Sequence, residues 1–418
     1  MTIAPTSKYA ITFIFITVLL DMVGFGLIIP VQPALISQIA HTDVAHAAQI
    51  GGLLYGAFSL AQFLFGPTLG NLSDAYGRRP LLLIAVFGLG CDYLIVALAP
   101  TITWLFVGRI LSGVCGASYV IANAYIADVT KPEDRAKAFG FLGAAFGLGF
   151  VIGPVIGGLL GAFGPRVPFF AAATISLINF VYGYFILPET LANENRRPFK
   201  WSRANPLGAL KIFRQYKQVM PLCILLGLFF FATSVYPATW PFWATAKFSW
   251  GSGLIGLTLA AFGSAMAFTQ GVLTGPLVRR FGERNLVFVG FAGAMFAAIA
   301  FSLAPSLIFV LAVLIVNAPE GFVNPMVSAI LSKAVPENAQ GELQGGLSSI
   351  MNIASMAGTV FFSLAFSYFM RPNPYVVSPS AGFIIAAGLF LVGLIYFALL
   401  TRQTQPNEPK YDPARSNN

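Results

Sequence analysis

The sequence predicts an all-α membrane protein with twelve transmembrane helices in two pseudo-symmetric bundles of six. Of the 418 residues, 57% are hydrophobic and only 9% are charged, and one soluble core cannot bury that much apolar surface. Twelve apolar segments are long enough to cross a hydrocarbon layer of about 30 Å, which takes roughly 20 helical residues. We therefore expect lipid to be the solvent for most of the chain.

The predicted spans divide evenly around one long polar segment that starts after Pro188. The first span is too long for a signal peptide and contains Asp21, so we interpret it as a transmembrane helix. The predicted units are an N-terminal bundle over 1–188, a cytoplasmic linker over 189–218, a C-terminal bundle over 219–402 and a cytoplasmic tail over 403–418. The predicted spans are 9–36, 48–73, 80–99, 102–126, 136–162, 167–188, 219–246, 253–278, 285–304, 306–332, 342–370 and 378–401.

The net charge of +9 is explained by membrane topology rather than by nucleic-acid binding, because the cations lie between apolar segments instead of on one basic face. Loops that carry Lys and Arg stay in the cytoplasm. These residues concentrate in the linker and in the loops after even-numbered spans, whereas the opposite loops contain only Arg166, Lys247 and Arg371. Both termini are therefore predicted to be cytoplasmic.

Two short patterns recur in the two halves. The segment from Gly70 to Gly77 is echoed between spans eight and nine by the segment from Gly275 to Gly282, with the same spacing of the glycines. A Pro-Glu pair after span four likewise recurs after span ten. Two copies of a six-helix unit, with a solute site between them near the midplane, are a recurring plan of transporters.

Nothing in the sequence indicates an enzyme. It contains no nucleotide-binding loop, nucleophile elbow or zinc signature. The three cysteines lie inside predicted spans without the spacing of metal ligands or of a disulfide framework, and His41 and His46 lie in a predicted external loop. We predict no cofactor, no metal and no nucleic-acid partner, so transport would depend on an ion gradient or on the gradient of the solute itself.

The loop between spans two and three closely resembles the loop signature of the major facilitator superfamily. It reads Gly-Asn-Leu-Ser-Asp-Ala-Tyr-Gly-Arg-Arg-Pro over 70–80. Span five resembles the motif typical of antiporters in that superfamily, which favours exchange over uniport. The resemblance implies a major facilitator fold and a gating role for the loop. The loop residues are Gly70, Asp74, Gly77, Arg78 and Arg79, and the antiporter-motif residues are Gly149, Gly153, Pro154, Gly157 and Gly158.

The loop also has a physical interpretation of its own. Arg78 follows Asp74 by about one helical turn, so an ion pair there would hold the loop against a neighbouring helix end. The alternative is that Arg78 and Arg79 only supply cytoplasmic positive charge.

Further segments resemble the tetracycline/proton antiporters. They are 20–30 in span one, 108–113 and 124–128 in span four, and 341–345 at the start of span eleven. The resemblance covers nearly the whole chain and is closer in the N-terminal half. It implies a proton-coupled exporter in the inner membrane of a bacterial cell, and the even split of the spans permits function as a monomer.

Three charged residues lie inside the N-terminal spans, where an ionisable group costs at least a few kcal/mol on the most lenient scale. At about 1.5 Å per residue, Asp21, Asp92 and Arg109 occupy similar depths in the outer half of the membrane. Arg109 can neutralise one carboxylate, and the other is then available to bind a proton or a cation. The alternative is a buried structural ion pair beside a carboxylate in an aqueous cavity.

The C-terminal half departs from the family pattern. Met266 stands where the tetracycline exporters carry a proton-handling histidine, and Ala294 stands where they carry an intramembrane aspartate. Neither tetracycline as the solute nor that proton pathway is therefore carried over. Glu320 is the candidate coupling acid of this half, because Pro319 and Gly321 interrupt its helix and irregular backbone at depth lines a cavity or is packed in protein. The alternative is a carboxyl group hydrogen-bonded at a kink.

Candidate contacts to the solute come from both halves. Tyr236 and Trp240 are four residues apart and share one face of span seven, where they either line a pocket for a flat amphipathic solute or belong to an interfacial aromatic belt. The resemblance implies that Gln62 and Asp92 lie on the substrate side. The full set of candidates is Gln62, Asp92, Asn123, Tyr236, Trp240, Gln270 and Gln344.

The function predicted from the sequence is export of a small amphipathic solute, drug-like or tetracycline-like, in exchange for protons by alternating access. Asp21, Asp92 and Glu320 are the predicted proton sites, with Arg109 as the charge partner. One alternative is proton-coupled export of an endogenous metabolite such as a siderophore or a pigment. Another is a transporter-like membrane receptor that binds its ligand without moving it.

Overall fold

A computed structural model describes residues 7–116, 118–130, 135–192, 194, 196–201, 205, 208, 212–336, 339–371 and 378–403. These residues form helices and connecting turns, and none of them is in a β-strand. Ten helical segments among them are long and apolar enough to cross a membrane. The predicted class, an all-α membrane protein, is confirmed. The predicted tail after Gln403 and part of the predicted linker lie outside the described residues.

The described residues of the first half of the chain form eight α-helices. The apolar stretches are helical because every backbone group must be hydrogen-bonded internally in lipid. In chain order they are α1 (Ser7–Ile28), α2 (Gln32–Ala40), α3 (Val44–Tyr76), α4 (Arg78–Leu98), α5 (Ile102–Cys115), α6 (Ser118–Val129), α7 (Arg135–Gly161) and α8 (Val167–Ile186).

The described residues of the second half form one short α-helix and eight longer ones. They are α9 (Ile212–Gln215), α10 (Met220–Thr233), α11 (Val235–Phe248), α12 (Ser252–Phe268), α13 (Thr274–Leu303), α14 (Leu307–Asn317), α15 (Val323–Ser332), α16 (Gln340–Met370) and α17 (Ala381–Gln403).

Two of the predicted loops are tighter than expected from the sequence. Between α3 and α4 the chain turns at the single residue Gly77, with φ +107°, and inside α13 it turns at Gly282, with φ +76°. Glycine adopts positive φ without the steric cost that other residues incur. The echoed glycine pattern therefore encodes the same one-residue turn in each half.

Several predicted spans are interrupted within the membrane. A 3-10 turn at Ile29–Val31 separates α1 from α2, a π-helical turn at Thr269–Leu273 follows α12, and a 3-10 turn at Ala318–Phe322 separates α14 from α15. The predicted number of twelve spans stays a prediction. The helical segment Ser252–Leu303 covers two predicted spans and turns at Gly282, whose φ and ψ are not helical, and the fourth span is interrupted at Gly116.

We call the membrane side on which α8 ends and α10 begins the linker side, and the opposite side the far side. The halves contact each other near the far side, where Ser252 Oγ donates a hydrogen bond to the carbonyl oxygen of Gly158 at 3.0 Å. Arg371 at the end of α16 donates to Gln49 Oε1 at 3.1 Å. Towards the linker side a methyl group added at Gly140 or Gly271 would meet no atom within 4 Å.

Candidate functional site

A cavity of about 280 Å³ lies between the two halves, near the middle of the helices. The N-terminal half contributes residues of α1, α3, α5 and α7, and the C-terminal half contributes residues of α11, α12 and α14. The walls are largely aromatic, and Arg109 is the one charged residue of the lining. The aromatic and polar residues that line it are Phe25, Gln32, Tyr55, Phe58, Arg109, Phe150, Tyr236, Trp240 and Phe262.

Two of the seven candidate solute contacts line this cavity. Tyr236 and Trp240 form part of its wall, and Trp240 is held by a hydrogen bond from its Nε1 to Thr258 Oγ1 at 3.1 Å. Asp92 is fully buried behind the wall. The remaining four lie in the linker-side halves of their helices, outside the lining: Gln62, which donates to the carbonyl oxygen of Gly116 at 3.3 Å, half-buried Asn123, and the exposed Gln270 and Gln344.

The intramembrane cation of the N-terminal half is paired with Asp92. Arg109 Nη2 lies 2.8 Å from Asp92 Oδ2, and the side chains are 9% and 0% exposed. A methyl group at Gly108 would lie 2.7 Å from Asp92 Oδ1, so the approach of α4 to α5 requires glycine there. The sequence left open which carboxylate Arg109 neutralises, and the packing of α4 against α5 decides it.

Asp21 lies on α1 and is 5% exposed. It belongs to the same region as the ion pair, because the hydroxyl group of Tyr93 is within electrostatic reach of Asp21, Asp92 and Arg109. Asp21 is outside the lining of the cavity, but Phe25, one turn further along α1, is part of it. The three charged residues therefore lie near one another around Tyr93, and their common depth in the membrane stays a prediction.

Glu320 lies in the 3-10 turn between α14 and α15 and is 4% exposed. The prolines and the glycine around it interrupt the helix, as the sequence predicts. Asn317, at the end of α14, is fully buried, and its Oδ1 accepts a hydrogen bond from the hydroxyl group of Tyr236 at 3.3 Å. Tyr236 thus connects the cavity wall to the segment that carries Glu320.

The turn around Glu320 packs between the two positions at which the expected charges are missing. On one side, a methyl group at Gly321 would lie 2.7 Å from the sulfur of Met266. On the other side, a methyl group at Gly293, next to the fully buried Ala294, would lie 3.2 Å from Cβ of Pro319. The single acid of this region therefore comes from the interrupted helix rather than from α12 or α13.

The antiporter-motif residues of α7 form a groove that receives two helices. A methyl group at Gly149 would lie 2.9 Å from the carbonyl oxygen of Leu19 on α1, and one at Gly153 would lie 2.7 Å from that of Val23. Gly157 packs equally closely against Leu27. On the far side, Pro154 packs against Gly256 of α12 and Gly158 packs against Ser252. The motif therefore lies where α7 contacts both α1 and the other half.

The loop residues of the N-terminal half form a network around Arg78. Its guanidinium group contacts Asp74, donates from Nε to Asp128 Oδ2 at 3.1 Å, and donates to Ser73 Oγ at 2.8 Å. Glu189, just past α8, accepts from the backbone N–H of Arg78 at 2.9 Å. In the structure this loop contacts a neighbouring helix end, since Asp128 lies at the end of α6.

Arg79 and Gly70 make two further hydrogen bonds in this loop. Arg79 donates to the carbonyl oxygen of Tyr184 near the end of α8 at 2.7 Å, and the carbonyl oxygen of Gly70 accepts from Ser73 Oγ at 2.7 Å. Cations near a helix C-terminus satisfy its unpaired carbonyl groups.

Much of the lining was not identified from the sequence. Phe25, Gln32, Tyr55, Phe58 and Phe262 line the cavity, and they come from four different helices. A usable signal was present, since Gln32 is the single polar residue between Asp21 and the end of its predicted span and Tyr55 and Phe58 share one helix face. Aromatic residues are common in every span of this chain, so the pattern does not by itself separate cavity from lipid contact.

Comparison with known proteins agrees with this architecture. The sequence profile of the Major Facilitator Superfamily matches residues 14–244 and 222–417. A tetracycline resistance protein, class C, from Escherichia coli is 37% identical over 392 residues, which is 93% of this chain and 96% of that protein. Multidrug resistance protein 2 of Bacillus subtilis (strain 168) is 28% identical over 88% of this chain and 90% of that protein.

Solved structures share the fold. A bacterial homologue of the human lysosomal transporter Spinster, in an inward-facing and occupied conformation, superposes with a TM-score of 0.77 at 16% identity, covering 95% of this chain and 97% of that chain.

Proposed function

Because the chain belongs to the major facilitator superfamily, we propose that it exports a small amphipathic solute in exchange for protons by alternating access. It is a multi-pass inner-membrane transporter of small molecules, and its fold is that of the superfamily. The observation that carries the proposal is the aromatic cavity between the halves, with an intramembrane ion pair on one wall and a tyrosine linked towards a buried acid on the other. The names of the bacterial relatives support a drug-like or tetracycline-like solute.

Glu320 is the proposed proton site of the C-terminal half. The turn that carries it packs against Met266 and lies beside Ala294, at the two positions where the family resemblance expects proton-handling side chains. A buried carboxyl group at this depth is costly when ionised. A proton at Glu320 would therefore be held while the cavity is empty and exchanged during the transport cycle.

Asp21 and Asp92 are the proposed proton sites of the N-terminal half. Protonation of Asp92 would remove the partner of Arg109, which lines the cavity. The charge presented to the solute would then change with the protonation state. Arg109 is accordingly proposed as a charge partner rather than as a proton site.

Alternating access is supported by where the halves meet. Near the far side, Gly158 and Gly256 pack backbone against backbone and Gly52 packs against Ser363, so the two halves are in close contact there. We propose that the solute enters from the linker side, which the positive-inside rule places in the cytoplasm. A solute entering from there would pass the four polar candidates outside the lining, Gln62, Asn123, Gln270 and Gln344.

The rocking of the halves would be controlled at both ends of the helices. The glycine groove of α7 allows α1 and α12 to approach it closely on the far side, and the Arg78 network is the proposed gating contact on the linker side. Asp74, Asp128 and Glu189 would hold the loop in the state that the structure shows. The functional unit is proposed to be a monomer, since one chain contains both halves of the cavity.

The test is proton flux in inverted membrane vesicles that respiration has made acidic inside, with tetracycline and a panel of planar aromatic compounds added one at a time. Exchange should make the vesicle interior more alkaline on addition of a transported compound. Asp21→Asn and Glu320→Gln should abolish this response. Asp43→Asn, at an exposed helix N-terminus, and Glu283→Gln, at a linker-side helix end, remove a carboxylate elsewhere and should leave the response intact.

A second candidate function is export of an endogenous metabolite by the same exchange. The residues Met266 and Ala294 favour it, because they replace side chains tied to the tetracycline exporters. A response to extracted cell metabolites but not to tetracycline would select this candidate. Ligand binding without any proton response to any compound would instead indicate a non-transporting receptor.

A further inference from the structure

Two buried polar atoms without hydrogen-bond partners lie on the same interrupted helix. They are Nδ2 of Asn317, a donor, and Oε2 of Glu320, an acceptor, and within the described residues neither makes a hydrogen bond of acceptable geometry. The two residues are three positions apart, and side chains at this spacing lie above one another in a 3-10 turn. Their side chains are close enough to interact. A buried donor and a buried acceptor are therefore adjacent and unpaired, which is costly in a low-dielectric interior.

Tyr236 determines how the amide group of Asn317 is oriented. Its hydroxyl group donates to Asn317 Oδ1 at 3.3 Å. Its ring is fixed by Phe262, Phe301 and Phe383, whose centroids lie 6.0, 6.2 and 6.1 Å away. Tyr236 also lines the cavity, so a bound solute contacts the side chain that holds Asn317.

The other surroundings of the turn supply little that would compete with this arrangement. The described elements packed against it face it with Met266 and Gln270 from the α12 side and with Gly290 and Gly293 from α13. Tyr236 is the one titratable group that approaches Glu320 in this part of the described chain.

We propose that Tyr236 and Asn317 link solute binding in the cavity to release of the proton from Glu320. This rests on the proposed exchange function. In the empty cavity Tyr236 holds Asn317 by its carbonyl oxygen, and Glu320 keeps its proton. A solute with an acceptor oxygen takes the Tyr236 O–H hydrogen bond, the freed amide turns, and its N–H group donates to the Glu320 carboxylate. The Glu320 O–H bond breaks, and the proton passes to water on the linker side.

The link also defines a class of solute. The ligand needs a flat aromatic body, to pack against Phe25, Phe58 and Trp240, and a carbonyl or enolate oxygen on the edge that meets Tyr236. A planar compound of the same size without such an oxygen would fill the cavity but leave Glu320 protonated. Loading with solute and loss of the proton would then be one event, as an exchanger requires.

The first experiment needs no solute. Infrared spectra of the purified protein are recorded at one pH, and the C=O band of protonated Glu320 is assigned by its loss in Glu320→Gln. Tyr236→Phe removes the hydroxyl group, keeps the ring and frees Asn317, so the ratio of ionised to protonated Glu320 should rise about tenfold, as expected for one hydrogen bond to a charged group. Tyr55→Phe, on the opposite wall of the cavity, is the matched control and should leave the band unchanged. An unchanged or stronger band in Tyr236→Phe would overturn the proposal.

Asn317→Ala tests the same link independently and decides the matter if Tyr236→Phe does not fold. Without the amide donor, the Glu320 band should stay at least as strong as in the wild type, and adding Tyr236→Phe to it should have no effect. A weaker band in Asn317→Ala would contradict the proposal.

The solute arm uses anthraquinone-2-sulfonate and anthracene-2-sulfonate, which share ring size and charge and differ in the carbonyl oxygens. Whichever of the two binds, only the quinone should weaken the Glu320 band. Equal weakening by both would refute the requirement for an acceptor oxygen. Proton exchange in vesicles is measured separately, so a protein that passes the infrared tests but moves no protons refutes the proposed function and not the link.

Discussion

The two halves use the same turn at the linker side with opposite charges. Gly77 and Gly282 both adopt positive φ, and each is followed by a charged residue that reaches the end of the next helix pair. In the N-terminal half Arg78 bonds to Asp128, whereas in the C-terminal half Glu283 lies 2.7 Å from Lys333. The backbone geometry of the repeat is retained while the polarity of the ion pair is reversed.

The two ion pairs, Arg78–Asp128 and Glu283–Lys333, differ in how deeply they are buried. The Arg78 side chain is 11% exposed and also contacts Asp74 and Ser73, while the Lys333 side chain is 70% exposed. In both halves the next residue after the charged one is an arginine that donates to a backbone carbonyl oxygen near a helix end. Arg79 donates to that of Tyr184, and Arg284 donates to that of Thr401. The N-terminal loop is thus a buried network, and its C-terminal counterpart is a surface bridge.

The halves differ in the same way within the membrane. The N-terminal half neutralises Asp92 with Arg109, whereas the buried Glu320 of the C-terminal half has no ion-pair partner among the described residues. A buried pair is a stable electrostatic unit only while both members are present. The comparison predicts opposite responses of the two halves when one charge is removed.

The largest loss of stability is expected for Arg109→Gln. This change leaves Asp92 buried without a cation, which costs about 3–5 kcal/mol, and it should strongly lower the melting temperature in detergent. The double variant Asp92→Asn/Arg109→Gln removes both charges and should recover most of the loss. If the single and double variants melt at the same temperature, the pair is not an electrostatic unit.

A smaller loss of stability is expected for Arg78→Gln. Loss of the guanidinium group leaves Asp74 and Asp128 facing each other, but their side chains are 36% and 25% exposed, so water screens part of the loss and the net cost is about 1.5–3 kcal/mol. Both melting temperature and vesicle transport should fall. Arg280→Gln removes a cation from the corresponding loop of the other half and is the control. Equal losses in the two variants would contradict the distinction between buried network and surface bridge.

A still smaller contribution to stability is expected from the Glu283–Lys333 pair. A double-mutant cycle with Glu283→Gln and Lys333→Gln should give a coupling energy of about 0.2–1 kcal/mol, as for exposed ion pairs. The coupling should shrink at high salt, since exposed charges are screened. A salt-insensitive coupling as large as that of Arg78 would show that this bridge is buried in the working protein.

No loss of stability is expected for Glu320→Gln. The amide has the shape of the carboxylic acid and no charge, and neutral replacements of buried ionisable groups are often tolerated. The melting temperature should stay at or above that of the wild type, even though proton exchange is abolished. Glu320→Ala, which leaves a cavity, is the matched comparison and should melt lower. A drop as large as that of Arg109→Gln would show that Glu320 has an ionic partner.

The sequence alone determined that lipid surrounds most of the chain, that the fold is all-α, and where the helices are broken by glycine and proline. Apolar segments of membrane-spanning length leave no other way to satisfy the backbone than helices. The glycine spacing around Gly77 and Gly282 encodes a turn that only residues tolerating positive φ can make. Pro319 and Gly321 likewise predicted the interrupted helix at Glu320, because proline removes a hydrogen-bond donor from it.

The tertiary structure decided everything that depends on which helix faces which. Spacing along the chain placed Asp21, Asp92 and Arg109 at one depth, but only the packing of α4 against α5 selects Asp92 as the partner of Arg109. It also assembled the cavity wall from residues more than 200 positions apart in sequence, such as Phe25 and Trp240. A helix presents several apolar faces of similar composition, and in lipid the hydrophobic effect does not rank them, so close packing and paired polar groups make the choice.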